Sequence, residues 1–428
     1  MKKAFILLSM MAASYVQAQV GVEKSDSLMM GPNYLNDVYY LLKDGSQSMQ
    51  PTTNWQIAFR TGGQTDGIRI NTATAAAPDD ASTSIYVYPN GALADWGTMD
   101  TTGNSAWVAL NNSDKTWEVG ALNTTAGQFP DFGWGVYNMT THIVTGDSIY
   151  LVKYKTGGVI QYKKLYVEKK QNSSWFFKYA DIDGTNETSV ELKSSDYPGK
   201  NYIYYNLETG NALDREPAAW DFVLTRYAAL QPNNAYVAAA GILTNTGVYA
   251  AKAAGQGEND LELEDTTVGF TGDINVIGYD WKYYVIGGQG VEWFAHDSLA
   301  YFVQDRNGIL WKVVFTAFGG ATNGKTVFSK TQMTPGTSVR DDNAALLQTS
   351  VYPNPAQGSA HVVFSAVASC TGTLRILDIN GREVQQSNLN IVSGVQSIEL
   401  DLSAMDNGVY FVQVSANGFQ STQKLIKN

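Results

Sequence analysis

The chain has 428 residues, of which 29 are basic and 40 acidic, so its formal net charge is −11. An acidic chain without a basic patch is a poor partner for nucleic acid, whose phosphates select clustered Lys and Arg. The 25 Tyr, 10 Trp and 40 Gly, with only 16% charged residues, are typical of β-rich extracellular proteins. The single cysteine, Cys370, excludes an internal disulfide, so we expect the apolar core alone to stabilise the fold.

The first 18 residues have the pattern of a secretory signal peptide. Lys2 and Lys3 precede an apolar stretch at residues 4–15, and Ala18 closes a small-residue cleavage site. Gln19 follows, where a lipid-anchored precursor would need Cys. No other run of about 18 apolar residues exists, so we expect a secreted, soluble mature chain without a transmembrane segment.

Short strands are the dominant pattern along the rest of the chain. Residues 84–88, 149–154 and 373–377 alternate apolar and polar side chains and are rich in β-branched and aromatic types. Residues 235–254 are alanine-rich, but their Gly, Val, Ile, Thr and Tyr favour strands over a helix. The sequence therefore predicts an all-β fold.

An internal repeat organises the first 335 residues. Residues 38–45 (VYYLLKDG) recur as residues 203–210 (IYYNLETG), and a tryptophan follows each copy at the same distance, Trp55 and Trp220. Each copy later has a second tryptophan, Trp134 or Trp281, followed by an Asp-Ser strand and a glycine turn. The matched order predicts two duplicated antiparallel β domains, at residues 25–190 and 197–335.

These landmarks resemble the HmuY family of secreted bacterial haem-binding proteins. The closest matches are Trp220-Asp221-Phe222 with Arg226-Tyr227, and the segment from Trp134 through Lys164. The resemblance implies two tandem HmuY-like β domains and a haem ligand. The duplication and the missing lipid cysteine depart from that family.

The C-terminal segment has its own set of landmarks. Residues 351–355 (VYPNP) open it, the turn at residues 380–381 and the strand at residues 408–414 (GVYFVQV) follow, and Lys427 nearly ends it. This resembles the type A sorting domain of the bacterial type IX secretion system, at residues 350–428 after a linker at 336–349. The resemblance implies an immunoglobulin-like β-sandwich, export by the type IX machinery, and a secreted or outer-membrane surface location.

The chemistry-bearing residues are few. With His142, His296 and His361 one to each domain, no domain can hold a bis-histidine haem or a two-histidine zinc site. Nucleophile elbow, P-loop and HExxH motifs are missing from the sequence, so we expect a protein that is not an enzyme and holds no metal site. Residues 181–186 have the alternating oxygens of a calcium loop without its final Glu, which favours a plain turn.

One position suggests a cofactor site. In the HmuY family an axial haem ligand lies five residues after the late tryptophan, which corresponds to Met139, and a thioether can bind haem iron. His142 is a nearby competitor and Met99 a candidate second ligand, whereas the second repeat has Ile286, which cannot bind iron. The alternative is that Met139 packs in the core and His142 lies at the surface.

Two functions follow from this pattern. The first is a surface binding protein that captures haem or a related porphyrin, with haem or host haemoproteins as partners. The second is a structural or adhesive surface module that binds protein or glycan through aromatic faces.

Overall fold

A computed structural model describes residues 21–62, 66–73, 83–89, 93–255, 257–288, 290–333, 346–366, 370–379, 381–391, 394–416 and 419–428. The predicted signal peptide (1–18) and residues 336–345 of the predicted linker lie outside these ranges. Strands dominate the described residues, and α1 (Gly320–Asn323) is their one α-helix, which confirms the all-β prediction. Among the residues described, no helix has the length and apolar character needed to cross a membrane.

The strands of the described residues are, in chain order, β1 (Glu23–Met29), β2 (Asn36–Tyr40), β3 (Gln47–Pro51), β4 (Ile57–Arg60), β5 (Ile68–Ile70), β6 (Ser84–Val87), β7 (Ala109–Leu110), β8 (Gly135–Asn138), β9 (Ile143–Gly146), β10 (Ile149–Thr156), β11 (Val159–Gln171), β12 (Ser174–Asp181), β13 (Thr188–Lys193), β14 (Tyr202–Asn206), β15 (Asn211–Leu213), β16 (Phe222–Leu230), β17 (Tyr236–Thr244), β18 (Tyr249–Ala254), β19 (Lys282–Gly287), β20 (Gly290–Ala295), β21 (Leu299–Gln304), β22 (Leu310–Phe318), β23 (Lys325–Gln332), β24 (Leu346–Tyr352), β25 (Ser359–Ala366), β26 (Cys370–Asp378), β27 (Glu383–Ile391), β28 (Gly394–Asp401), β29 (Gly408–Ala416) and β30 (Phe419–Lys427). Short 3-10 helices are Pro32–Tyr34, Thr52–Asn54, Leu93–Gly97, Asn104–Ala106, Ala121–Asn123, Ser194–Asp196 and Leu263–Asp265.

The first unit, residues 55–213, is built from two antiparallel sheets. One sheet has the strand order β15-β14-β4-β5, and the other has the order β13-β12-β11-β10-β6-β7. Their facing side chains form one core around Phe59, Trp134, Trp175 and Phe177, all of them buried. Trp175 lies 5.3 Å from both the Phe59 and the Trp134 ring centroids, so large aromatic rings fill the space between the two sheets.

The second unit combines residues 220–332 with residues 23–51 from the start of the chain. Its sheets have the orders β3-β2-β16-β17 and β1-β23-β22-β21-β18. β1 pairs with β23 from Glu23↔Thr331 to Met29↔Lys325, and β2 pairs with β16 at Tyr40↔Phe222. The core of this unit therefore contains side chains from both segments, which lie far apart in the sequence.

Apart from β7, which has no counterpart, the two units have the same strand order when the second is read from β16 to β23 and then from β1 to β3. The two corresponding long strands, β11 and β22, each have a bulge, after Val167 and after Phe315 respectively. The residues after the first tryptophans also match: Gln56 Oε1 accepts the Leu207 N–H at 2.8 Å, and Asp221 Oδ2 accepts the Leu42 N–H at 2.7 Å.

The predicted ranges 25–190 and 197–335 differ from the two cores. They assign β2 and β3 to the first domain and β14 and β15 to the second, whereas β2 pairs with β16 and β14 pairs with β4. The two repeats have exchanged these hairpins. Sequence similarity could not show this, because the two hairpins are alike and either could pair with either tryptophan-led strand.

Trp117 joins the two units. The outer face of the sheet containing β4 and β14 lies against the outer face of the sheet containing β2 and β16, and Trp117 packs with both. Its Nε1 donates to Thr244 O at 2.8 Å, and its ring lies edge-on to Trp220 at 6.2 Å. Arg215, which follows β15, forms a buried ion pair of 2.6 Å with Asp37 of β2, so polar contacts also hold the interface.

The C-terminal strands form a separate β-sandwich. A three-stranded sheet, β24-β25-β28, packs on a four-stranded sheet, β27-β26-β29-β30, around a shared core that includes Phe364, Leu374, Val412 and Leu425. β24 begins at Leu346, so the predicted linker at 336–349 overlaps the first strand.

We expect the exchanged hairpins to stabilise the unit that they join. Tyr40 is buried against Phe222 and Phe328, and Tyr205, its counterpart, is buried against Phe177. Tyr40→Ala and Tyr205→Ala should each cost roughly 3–5 kcal/mol in the free energy of unfolding, as other large-to-small core changes do.

Hydrogen exchange of the two variants tests where each hairpin belongs. Tyr40→Ala should speed amide exchange in β16, β22 and β23 more than in β10–β12, and Tyr205→Ala should do the reverse. The opposite pattern would show that each hairpin stays with the repeat that encodes it.

Two buried carboxyls make the stability depend on pH. Burial raises the pKa of Asp221 to about 7, with the nearby Asp305 adding to the shift, and burial likewise raises the pKa of Glu216 to about 7. Glu216 accepts the Asn201 N–H at 2.7 Å and the Tyr204 hydroxyl at 3.1 Å. Between about pH 4 and about pH 7 these two carboxyls keep protons in the folded chain that they release in the unfolded chain, so their contribution to the free energy of unfolding falls as the pH rises.

Asp221→Asn and Glu216→Gln should each flatten this decline, because an amide does not titrate. The measurement is urea unfolding from about pH 4 to about pH 8. The exposed Glu292→Gln is the matched control and should keep the wild-type slope. An unchanged slope in both buried variants would contradict the assignment.

Candidate binding site

Each unit has one β-hairpin directly after its late buried tryptophan. Trp134 leads into β8–β9 and Trp281 leads into β19–β20, and both indole rings are buried. Trp134 Nε1 donates to Asp66 O at 3.0 Å, and the Trp281 ring stacks on Phe315 at 4.6 Å. The tryptophans anchor the base of each hairpin in its core, so the hairpin ends lie at the surface.

The turn of β8–β9 contains two of the three predicted site residues. Met139 is 63% exposed, and His142 is also exposed. The Tyr137 hydroxyl and His142 Nδ1 are 2.6 Å apart, and the Asn138 carbonyl accepts the His142 N–H at 2.9 Å. The alternative of Met139 in the core is wrong, whereas His142 lies at the surface as that alternative expected.

Met99 lies apart from this turn. Its side chain is buried, with 5% of its surface exposed. Three residues before it, the Trp96 carbonyl accepts a hydrogen bond from Lys164 of β11 at 2.7 Å. The strand β9 from the Met139 turn meets β11 at Lys170, six residues further along. Six residues of an extended strand span about 20 Å, so Met99 and Met139 lie near well-separated parts of β11.

Glycines hold the first hairpin close to its sheet. Gly135 faces Gly146 across the hairpin, and a Cβ on either would collide with backbone, at the carbonyl of Thr145 or of Val167. The bare backbone lets β9 pair with β11. In the second unit Lys282 and Ala295 form the corresponding pair, and β20 is not paired with β22.

The hairpin β19–β20 exposes an apolar surface on both of its faces. Ile286 is 75% exposed and Val291, opposite it, 57% exposed on one face, while Val285 is half exposed on the other. Tyr283 and Tyr284 are also exposed closer to the base. An apolar patch of this kind on a monomer marks an interaction site.

Packing and hydrogen bonds hold the base of this hairpin against the second unit. The Trp293 ring lies edge-on to Phe318 at 5.1 Å and Tyr283 stacks on Phe294 at 5.5 Å. Lys282 is buried with its Nζ donating to the carbonyls of Ala240, at 2.6 Å, and Tyr279, at 3.2 Å. Burial lowers the pKa of Lys282 to about 7. The exposed end is therefore presented on a fixed support.

The turn of β8–β9 can supply only part of a haem site. Met139 and His142 lie in one tight turn, so they cannot occupy opposite faces of one porphyrin, and the turn offers a single axial ligand. Phe129, Phe132 and Tyr137 form an aromatic cluster beside it that fits a flat ring. Met99 does not fit as the second axial ligand, because its side chain is buried whereas Met139 lies at the surface.

A cavity between the two units is much smaller than a haem. It has a volume of about 60 Å³ and is lined by aromatic and charged side chains that include Tyr39, Trp55, Arg69 and Trp117. Ligand pockets usually measure about 300–1,000 Å³, and this one has room for about two water molecules.

The predicted turn at residues 181–186 is stabilised by its own side chains. Asp181 forms an ion pair of 2.5 Å with Lys163 and accepts a hydrogen bond from Asn186 at 2.6 Å. Hydrogen bonds and the ion pair to Lys163 lower the pKa of Asp181. Its oxygens are therefore engaged within the protein, and no cluster of three metal-binding side chains occurs in the described part of the chain.

The exposed end of β19–β20 is the feature that sequence reasoning missed. From the sequence, Ile286 stands out only as a residue that cannot bind iron. The signal was present: Tyr283 to Ile286 are four consecutive uncharged residues without polar alternation, followed by glycines. Such a run predicts either full burial or an apolar surface, and the structure shows the second.

Comparison with known families bears on the C-terminal sandwich. Residues 350–428 match the family described as secretion system C-terminal sorting domain. These residues are a type IX sorting domain. The sorting domain confirms the predicted export to the cell surface or the medium and the type IX machinery as a partner.

The remaining comparisons do not identify the two units. No curated protein matches this chain. Among solved structures the chain is similar to dimeric latent PorU from Porphyromonas gingivalis, at 11% identity and a TM-score of 0.19, covering 94% of this chain and 34% of that chain. The chain thus spans about a third of that structure, and a likeness with so low a TM-score carries no argument. The HmuY-like assignment stays a prediction.

Proposed function

We propose that this protein is an adhesive binding protein of the cell surface or medium, exported by the type IX system, and not an enzyme. The observation that carries the proposal is the hairpin β19–β20, whose base is packed and whose end is apolar and exposed. The sorting domain supports it, because an exported protein meets surfaces and macromolecules outside the cell. The corresponding hairpin β8–β9 also has exposed apolar side chains, at Val136 and Met139.

The chemistry of β19–β20 favours protein over glycan as the partner. Aliphatic Val285, Ile286 and Val291 dominate its end, and among the described residues of the two strands only Lys282, at the base, and Glu292 are charged. Sugar recognition needs several polar groups that converge on hydroxyls, whereas protein interfaces centre on apolar and aromatic anchors.

Attachment of cells that display the chain tests the proposal. The double variant Ile286→Ser, Val291→Ser should lower attachment to a mucin-coated surface at least about tenfold, because it removes the apolar anchors. The matched control is Val159→Ser, Ile160→Ser, which removes the same residue types from the exposed end of β10–β11. Surface display is checked by antibody labelling.

The outcomes separate protein from glycan binding. Attachment that persists on mucin stripped of its glycans supports a protein partner, and attachment lost on stripping supports a glycan. Equal attachment by wild type and both double variants would contradict the adhesive function.

Haem capture by the first unit is the second candidate. A specific observation favours it: Met139 is exposed beside the aromatic cluster of Phe129, Phe132 and Tyr137, with His142 in the same turn. This arrangement offers one soft axial ligand and an apolar surface. The resemblance to HmuY supports the same ligand, with haem or host haemoproteins as the source.

Titration of the mature chain with haem, followed in the Soret band, tests this candidate. A neutral thioether prefers reduced iron, so binding should tighten on reduction, and Met139→Ala should weaken it at least about tenfold. Loss in His142→Ala alone would move the ligand to that imidazole. Ile286→Ala is the matched control in the second unit. An unchanged Soret band in both redox states would exclude haem binding.

A further inference from the structure

The outer edge of β19 is open. Within the described residues β19 pairs only with β20, and β20 lies on the side of the unit body, where Trp293 contacts Phe318. An edge strand presents a row of unpaired N–H and C=O groups, and proteins normally protect it with charge, proline, a bulge or a covering segment. β19 has no proline, and its one charged residue, Lys282, is buried at the base.

The corresponding edge in the first unit is covered. The Tyr137 N–H of β8 donates to Pro130 O at 2.9 Å, and Gly135 O accepts the Phe132 N–H at 2.9 Å. Asp131 and Val136 form a bridge between the two segments. In the second unit the segment before Trp281 pairs with β17, through Gly278 and Ile242, and not with β19. The same chain thus contains one protected and one unprotected copy of this hairpin.

We propose that the open edge of β19 pairs with β19 of a second copy of this chain, in antiparallel orientation about a two-fold axis. The inference goes beyond the adhesive function proposed above and concerns the same hairpin. The pairing would extend two hairpins into one four-stranded sheet, the geometry by which exposed edges recruit strands.

The sequence of β19 fits a copy of itself. Tyr283 to Ile286 carry no charge, so no like charges meet along the edge although each chain has a net charge of −11. With Tyr284 at the axis, Tyr283 lies opposite Val285, and aromatic with β-branched pairs are favourable across strands. A lipid partner is less suitable, because hydrocarbon would leave the edge groups without hydrogen bonds.

Sedimentation velocity of the mature chain over a concentration series measures the association. We expect a monomer–dimer equilibrium that shifts towards dimer as salt rises, because salt screens the repulsion between two acidic chains. Ile286→Lys should weaken the dimer at least about tenfold by placing a charge on the pairing strand.

Val291→Lys is the matched control. Val291 faces Ile286 across the hairpin with similar exposure, but it lies on β20, away from the open edge. It should weaken the dimer much less than Ile286→Lys does. Equal effects of the two variants would mean that the copies touch through the hairpin end, which would overturn edge pairing. A wild-type chain that stays monomeric at every concentration and salt level would also overturn it.

Crosslinking gives an independent readout. In a Cys370→Ser background, Tyr284→Cys should form a disulfide-linked dimer on oxidation, because the two copies of the residue at the axis lie about 4.5–5.5 Å apart between Cα atoms. Val291→Cys should not. A monomeric chain whose hairpin still mediates attachment to mucin would overturn the inference and leave the adhesive function standing. A dimer whose hairpin variants attach to mucin as well as the wild type does would support edge pairing and contradict the adhesive function.

Discussion

The return of the N-terminal strands to the second unit is the constraint on which the rest of the structure depends. β1 lies along β23 through seven residue pairs, and β2 lies along β16, so residues 23–51 supply strands to both sheets of that unit. Without them β16 and β23 would each have an open edge and the core would lose Leu28, Val38 and Tyr40. Folding of the second unit therefore requires residues 23–51 to pair with strands that lie far along the chain. Closing so long a loop costs conformational entropy, which the packing of these strands in the core must offset.

The same exchange explains the tight connection between the units. The chain passes from β3 of the second unit to β4 of the first through the five residues 52–56, and it passes back after β15. Both crossings lie beside the interface at Trp117, where the Asp37–Arg215 ion pair links β2 to the segment after β15. An ion pair so deeply buried stabilises little by itself, but loss of one partner would leave a buried charge.

Small local differences separate the two hairpins that follow the late tryptophans. Gly135 and Gly146 allow the first hairpin to join its sheet, and residues 130–132 cover its edge. Lys282 and Ala295 replace these glycines in the second unit, and the hairpin there stays outside the sheet with an open edge. The duplicated fold has thus kept its core pattern while one copy has developed a different surface. That surface carries the adhesive proposal, and the exposed Met139 of the first copy carries the haem proposal.

Local patterns in the sequence determined the features that short stretches of chain specify by themselves. Alternation and turn residues predicted the strands, the matched tryptophans predicted two similar units, and residues 350–428 predicted the sorting domain. The tertiary structure alone decided which hairpin pairs with which strand, because the hairpins at residues 36–51 and 202–213 have nearly the same pattern. It also decided that Met99 lies far from Met139 and that Tyr283 to Ile286 are exposed. A run of apolar residues specifies that it avoids water, but whether the chain provides anything to cover it depends on the packing of distant segments.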